Sequence, residues 1–348
     1  MATLDPVKMK RFAAEVIHKA GLDEEASQCF ADSLVNADMR GVHSHGVTRL
    51  STYVHRIHDG LVAVDEQPCI LADAGALLLL DARNTMGVPA GYRAMSLCIE
   101  RAAQYGAAFA SVRGGNHFGY AAYYTELAAS KGMIGFALSN GPAAMAPTGG
   151  TKAVLGTNPI SIAVPAKKHQ PLVLDMATSV VARGKVTLAK KEGRSIPDNW
   201  GIDADGKPTT DPAAVVTVLP FGGVKGYAIS LITELLCSCL SGAKNGQTMG
   251  SFYDFSGTHQ DVGFFFGAID PSGIVDSEAF ENRVDERLDA IKACPKAAGC
   301  DEIFIPGEIE FRNMVQAEKN GIDVGDAVQA ELYALSKEYG VPFDCAMV

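Results

Sequence analysis

Arg113-Gly-Gly-Asn-His-Phe-Gly-Tyr120 lies between an apolar run, Ala107–Val112, and a segment of helical spacing, Tyr120–Lys131. A strand that ends in glycines and opens onto a helix leaves backbone N–H groups free to face an anion. The dinucleotide fingerprint G-x-G-x-x-G is nevertheless missing from the chain, as is the full P-loop pattern. A nucleotide bound here is therefore held without the usual Rossmann turn. His117 sits inside this loop. Lone loop histidines are more often surface residues than catalysts, and the glycine setting is what distinguishes this one.

Outward from that loop, short apolar runs read as strands at Ala76–Asp81, Ala107–Val112, Met133–Leu138, Leu172–Ala177 and Gly263–Asp270, with a helix near Pro89–Tyr105. Gly-, Pro- and Asn-rich stretches at 139–150 and 156–161 mark irregular backbone between them. Thr178–Lys191 reads as a basic helix, and Trp200–Asp211 as an exposed hairpin. Asp203 and Asp205 read as turn residues, because the calcium-loop register is incomplete. Gly222-Gly-Val-Lys-Gly-Tyr227 opens the most apolar helix, which runs to Leu240. Lys225 there opposes the helix dipole by about 0.3–1 kcal/mol, a misfit that an anion at the helix N-terminus would remove. Ile274–Ala293 reads as an amphipathic helix, Ile303–Glu308 as a strand and turn, and Phe311–Asn320 and Asp326–Tyr339 as closing helices.

The first part of the chain is all helical. Asp5-Pro6 supplies an N-cap and N1 pair, and Asp23 caps a second helix that ends at Gly41. These deliver Arg40-Gly-Val-His-Ser-His-Gly-Val-Thr-Arg-Leu-Ser-Thr-Tyr53. A helix starting at His45 places Arg49 and Tyr53 on the same face. An imidazole, a guanidinium fork and a phenol in a row suit a small carboxylate or keto acid.

Composition sets the outer limits. The chain has 348 residues, 47% hydrophobic and 20% charged, the balance of a globular protein with two lobes. A net charge of -10 argues against a nucleic-acid or anionic-membrane surface. Eight cysteines lack paired C-x-x-C spacing and read as reduced thiols of a cytoplasmic protein. No apolar signal core opens the chain, and no continuous apolar run approaches the roughly 18 residues of a membrane span. His43, His45, His55 and His58 could crowd a metal, but H-E-x-x-H is missing and no metal is expected.

Seven collinear motifs resemble the malate/L-lactate dehydrogenase type 2 family: Arg40-Gly-Val-His-Ser-His-Gly, Asn116-His-Phe-Gly, Gly156-Thr-Asn-Pro, Asp175-Met-Ala-Thr, Arg183-Gly-Lys, Gly223-Val-Lys-Gly and Pro306-Gly-Glu. The resemblance implies an α/β fold with a non-Rossmann nicotinamide-binding domain on a largely antiparallel sheet. It also implies a helical domain built from both chain ends, drawn here as residues 1–65 with 308–348, against 66–307. It further implies a homodimer, with NAD as cofactor and NADP as the alternative. Asn140, Gly141, Asp175, Met176, Ala177, Lys225, Pro306, Gly307 and Glu308 are the implied cofactor residues.

The expected reaction is hydride transfer between the cofactor and a 2-hydroxy acid of malate or L-lactate type. Loss of hydride from C2 requires loss of the hydroxyl proton. His117 is taken as the base, with His45 and Ser44 polarising the oxygen. Arg49 is taken as the carboxylate clamp, with Tyr53 lending a hydrogen bond. A ureidoglycolate dehydrogenase and an NADPH-dependent reductase of 2-oxo acids or cyclic imines are the alternatives on the same scaffold.

Overall fold

A computed structural model describes residues 3–347. The Asp5 carboxylate accepts the N–H groups of Val7 and Lys8 and starts α1 (Pro6–Lys19). Asp23 does the same for Ala26 in α2 (Glu24–Met39). Both caps fall where the sequence places them.

The expected helix from His45 does not form as one piece. Two single 3-10 turns, His43–His45 and Val47–Arg49, precede α3 (Leu50–His58), with Gly46 extended between them. The cause is Asp38. Its buried carboxylate bonds His43 Nδ1 at 2.9 Å and accepts the Val47 N–H at 2.7 Å. A methyl group on Gly46 would lie 2.1 Å from that carboxylate. The backbone is thus drawn out of helix by a side chain rather than by local propensity.

Strands β1 (Cys69–Asp73) and β2 (Leu77–Asp81), helix α4 (Gly87–Tyr105) and β3 (Ala107–Gly115) follow. Next come α5 (Ala122–Ala129), β4 (Ile134–Ser139), β5 (Ile160–Val164) and β6 (Leu172–Met176). The chain continues through α6 (Arg183–Lys191), the short pair β7 (Gly201–Ile202) and β8 (Thr217–Val218), and α7 (Val224–Glu234). It closes with β9 (Val262–Ile269), α8 (Ser277–Lys292), α9 (Glu308–Asn320) and α10 (Asp326–Tyr339). The main sheet has seven strands in the order β1-β2-β3-β9-β4-β5-β6, and only β2 and β3 run parallel.

Three strands, β1, β5 and β8, were not foreseen, and β7, within the hairpin expected at Trp200–Asp211, pairs with β8. Conversely, Ile303–Pro306 is irregular rather than a strand, and α6 begins only at Arg183. Asp203 accepts the N–H groups of Asp205 and Lys207, as a turn residue does.

One core joins α1, α2 and α3 to Leu332 and Leu335 of α10, so the two chain ends pack together. A second core fills the sheet, with Phe264 and Phe266 of β9 fully buried between β3 and β4. The strand β3 runs straight into the histidine loop. Asn116 fixes that loop by donating to the backbone oxygens of Asn84 and Thr85. The first residue of α4, Gly87, abuts it so closely that a Cβ would lie 2.0 Å from the Asn116 carbonyl and 2.5 Å from that of His117. Gly87→Ala should therefore displace the His117 loop and cost about 1–3 kcal/mol, the usual scale of overpacking. Thermal denaturation should show a lowered midpoint together with reduced turnover, and an unchanged midpoint would contradict this packing.

Candidate active site

His45, Arg49 and His117, from three separate elements, line one cleft of about 1620 Å³. The rings of His45 and His117 stack with centroids 5.6 Å apart and planes 17° from parallel. Tyr53 comes from the first core. Its side chain is buried, and its hydroxyl meets His117 Nδ1 at 2.5 Å. It therefore stands behind His117, away from the cleft wall, rather than in the place for a substrate contact. Ser44 Oγ meets His45 Nδ1 at 2.9 Å.

The neutral tautomer of His117 follows from its partners. The Gly119 N–H can only donate, and it reaches Nδ1 at 3.3 Å. Nδ1 is thus the acceptor and Nε2 carries the proton. Burial pushes the His117 pKa well below the ordinary imidazole value, helped by His45, Arg49 and Arg56. Burial and then Arg49 lower that of His45 to about 4. Both rings are neutral at physiological pH.

Arg49 donates from Nε to the Ser44 carbonyl at 2.6 Å and from Nη1 to the Tyr253 hydroxyl. Its guanidinium stands 5.4 Å from the ring centroids of both Phe252 and Tyr253. Phe252 also packs 4.9 Å from the His117 ring, and Gln260 accepts the His117 backbone N–H at 3.1 Å. Phe252, Tyr253 and Gln260 were missed by sequence reasoning. The available signal was three aromatics in a Ser-, Gly- and Asp-rich connection, Ser251-Phe-Tyr-Asp-Phe-Ser-Gly257, a pattern of loops that carry function.

The residues expected to hold a dinucleotide divide into groups. Asn140, Gly141, Asp175, Met176, Ala177, Pro306 and Gly307 all line the same cleft. Around Gly141 there is open space where a Cβ would point, so a ligand can approach the backbone. The Asn140 side chain is committed to the fold, donating to the Lys244 carbonyl and accepting from Gly263 N–H. Gly307, at φ 90°, makes the turn whose Pro306 carbonyl accepts from Val173.

Glu308 does not line the cleft. It pairs with Lys292 and Arg312 and accepts the Ile305 N–H, holding the Pro306-Gly307 turn from behind. Lys225 is exposed in the first turn of α7, outside the cleft lining. The cations that do line the cleft, besides Arg49, are Arg40, Arg183 and Lys191.

Asp175 lies deep in the cleft yet open to it, and its carboxylate accepts the Ala122 N–H at 2.9 Å, at the start of α5. Desolvation, with Glu310 nearby, raises its pKa to about 7 against the opposing pull of that N–H and of Arg40. Arg40 itself pairs with the largely buried Glu126 at 2.5 Å. Among the described residues, no group of three or more His, Cys, Asp or Glu could hold a metal ion.

A stacked imidazole pair and a guanidinium in a cleft of this size suit a small anionic substrate, with room for a larger second ligand. The chain belongs to the malate/L-lactate dehydrogenase family, whose model matches residues 4–333. It is 38% identical over 345 residues to the L-sulfolactate dehydrogenase of Methanocaldococcus jannaschii, covering 97% of each chain. The solved structure of that protein superposes with a TM-score of 0.92 over 97% of each chain. It is 37% identical over 346 residues to the malate dehydrogenase of Pyrococcus horikoshii, covering 95% of this chain and 93% of that one. It is 33% identical over 330 residues to the ureidoglycolate dehydrogenase (NAD(+)) of Escherichia coli O157:H7, covering 93% and 95%. This chain is an oxidoreductase that moves a hydride between a nicotinamide dinucleotide and a small 2-hydroxy acid.

A pH dependence follows from the lowered imidazole values. The role of base expected of His117 requires the neutral ring, and its depressed pKa keeps it neutral to lower pH. The kcat/KM for hydroxy-acid oxidation should hold its plateau as pH falls through the ordinary imidazole range, about 6.5. A loss of activity centred in that range would show that His117 titrates as a solvated imidazole.

Proposed function

We propose that this chain interconverts a small 2-hydroxy acid and its 2-oxo acid with NAD, His117 moving the proton. The observation that carries this reading is the stack of His117 on His45 in one cleft with Arg49 beside them. Bound nicotinamide dinucleotide supplies the hydride acceptor or donor. Every other requirement falls on the chain.

In the reductive direction His117 first takes up a proton, and as the imidazolium it passes the one on Nε2 to the oxygen of the 2-oxo acid as hydride reaches C2, returning to the neutral ring. In the oxidative direction Nε2 must be bare. The Tyr53 hydroxyl can accept as well as donate, so a ring protonated at Nδ1 keeps a partner there. His45, oriented by Ser44, is the second neutral hydrogen-bonding group for the substrate oxygen. Arg49 receives the carboxylate on its free edge, while Ser44 and Tyr253 fix the other positions of its fork.

The cleft also fits the dinucleotide. Gly141 allows close approach of backbone, Arg183 and Lys191 can offset the pyrophosphate, and Asp175 offers a carboxyl to a ribose or amide. Asp175 and Glu310 on the same wall oppose a further phosphate dianion, which supports NAD over NADP.

The shared core of the N-terminal helices and α10 supports a helical domain of residues 1–65 with 308–348 beside an α/β domain of 66–307. An exposed apolar row on α7, including Val224 and Ile232, supports a homodimer. The eight unpaired thiols support a reducing, cytoplasmic setting.

The direct test is a panel of 2-oxo acids with NADH and with NADPH, followed at the nicotinamide absorbance band. Oxidation of NADH by at least one 2-oxo acid is expected, and no turnover with any of them would reject the reading. In the same assay His117→Ala should lower turnover by about 10²–10⁴, the scale of a positioned acid–base group. Arg49→Lys should raise KM for the acid at least roughly tenfold, because an ammonium cannot replace the fork. An Arg49→Lys enzyme with unchanged KM would move the clamp elsewhere.

A further inference from the structure

Arg56 projects from α3, one helical turn beyond Tyr53, and none of its surface reaches solvent. Its Nη1 donates to the backbone carbonyls of Phe252 and Asp254, both at 3.1 Å. Nε and Nη2 meet no acceptor among the described residues, and no carboxylate there forms an ion pair with it. A guanidinium buried in this way is costly to a fold, and an apolar side chain of similar length would pack more cheaply. Its position calls for a reason other than stability.

That reason lies in what residues 252–254 carry. They belong to an irregular connection between α7 and β9, without a strand ladder of their own. The Phe252 ring packs 4.9 Å from both the His117 and the Tyr53 rings. The Tyr253 hydroxyl meets Arg49. The Arg56 guanidinium itself stands 5.8 Å from the Phe252 centroid.

We infer that Arg56 is a positioning residue of the dehydrogenase reaction: its two bonds to the loop backbone hold Phe252 against His117 and Tyr253 against Arg49. The inference rests on the roles proposed above for His117 and Arg49. Acting through the loop, Arg56 sets both the wall against which the imidazole is fixed and the orientation of the fork. Its charge has a separate effect. The groups that face His117 are His45, Tyr53, Arg49 and Arg56, and the two cations both favour the neutral ring.

The test compares Arg56→Met and Arg56→Lys with the wild-type full-length chain, by steady-state kinetics on the best 2-oxo acid and its 2-hydroxy partner. Circular dichroism checks that each variant folds. Arg56→Met should raise KM and lower kcat by roughly tenfold each, since loop positions that support a site affect both together. It should also shift the acid limb of the oxidation profile to higher pH, because a cation beside the imidazole is gone. Arg56→Lys keeps the charge, so the limb should stay in place while KM recovers only in part.

Arg56→Met with wild-type KM and an unmoved limb would overturn the inference, whatever its thermal midpoint. If Arg56→Met does not fold, Arg56→Lys decides: a raised KM supports the inference and a wild-type KM overturns it. Absence of turnover in the wild type itself would instead reject the proposed function, and the inference with it.

Discussion

The hydrogen bond between the Tyr53 hydroxyl and His117 Nδ1 joins the helical core to the loop after β3, beside the cleft that His45 and Arg49 line. Tyr53 belongs to the core built by α1, α2, α3 and α10, whereas His117 lies in the loop that follows β3 of the main sheet. Neither half alone can fix the imidazole. A side chain that packs edge-on against Phe30 at 4.6 Å has almost no rotamer freedom left. Packing in the helical half is thereby converted into ring orientation in the other.

That same burial decides the charge of the site. Imidazoles removed from water stay neutral unless an anion compensates them, and His45 and His117 have arginines as neighbours instead. His43, two residues before His45, shows the opposite outcome. Its bond to Asp38 raises its pKa, and it serves as a fastener of the turn rather than as part of the cleft. Three adjacent residues thus include two histidines of different kind, separated by the presence or absence of one carboxylate.

Much of the architecture was legible because its signals are local. Asp5, Asp23 and the positive-φ glycines mark helix ends through chemistry that acts within a few residues. The continuous helix expected from His45 failed for a non-local reason: the Asp38 carboxylate reaches across from α2 and occupies the space beside Gly46. β1 was not legible because its side chains are mostly exposed, so no buried face patterns it. Within the site, His45, Arg49 and His117 could be picked out by residue type and glycine context. Phe252, Tyr253 and Arg56 could not, because their role arises from a loop whose path is set by contacts nearly two hundred residues apart in sequence. Lys225 is the reverse case. Its placement against a helix dipole reads as a phosphate contact, and on this chain it stands exposed in the first turn of α7, outside the cleft lining.

The cleft is electrically polarised along its lining. Around the histidines stand Arg49 and Arg56, with no carboxylate paired to either among the described residues. Around Asp175 stand Glu126 and Glu310 with Arg40 as the cation among them, and burial raises the pKa of both Asp175 and Glu126 to about 7. One guanidinium, already paired with Glu126, faces three carboxylates there, so this end of the cleft carries an excess of acidic groups. A small carboxylate is attracted to the arginine side and repelled from the other, whereas hydroxyl and amide groups lose little beside carboxyls that can donate as well as accept. The distribution of charge in the cleft in this way favours one orientation of a small acid before any shape-specific contact is made, the orientation that the proposed roles of Arg49 and His117 require.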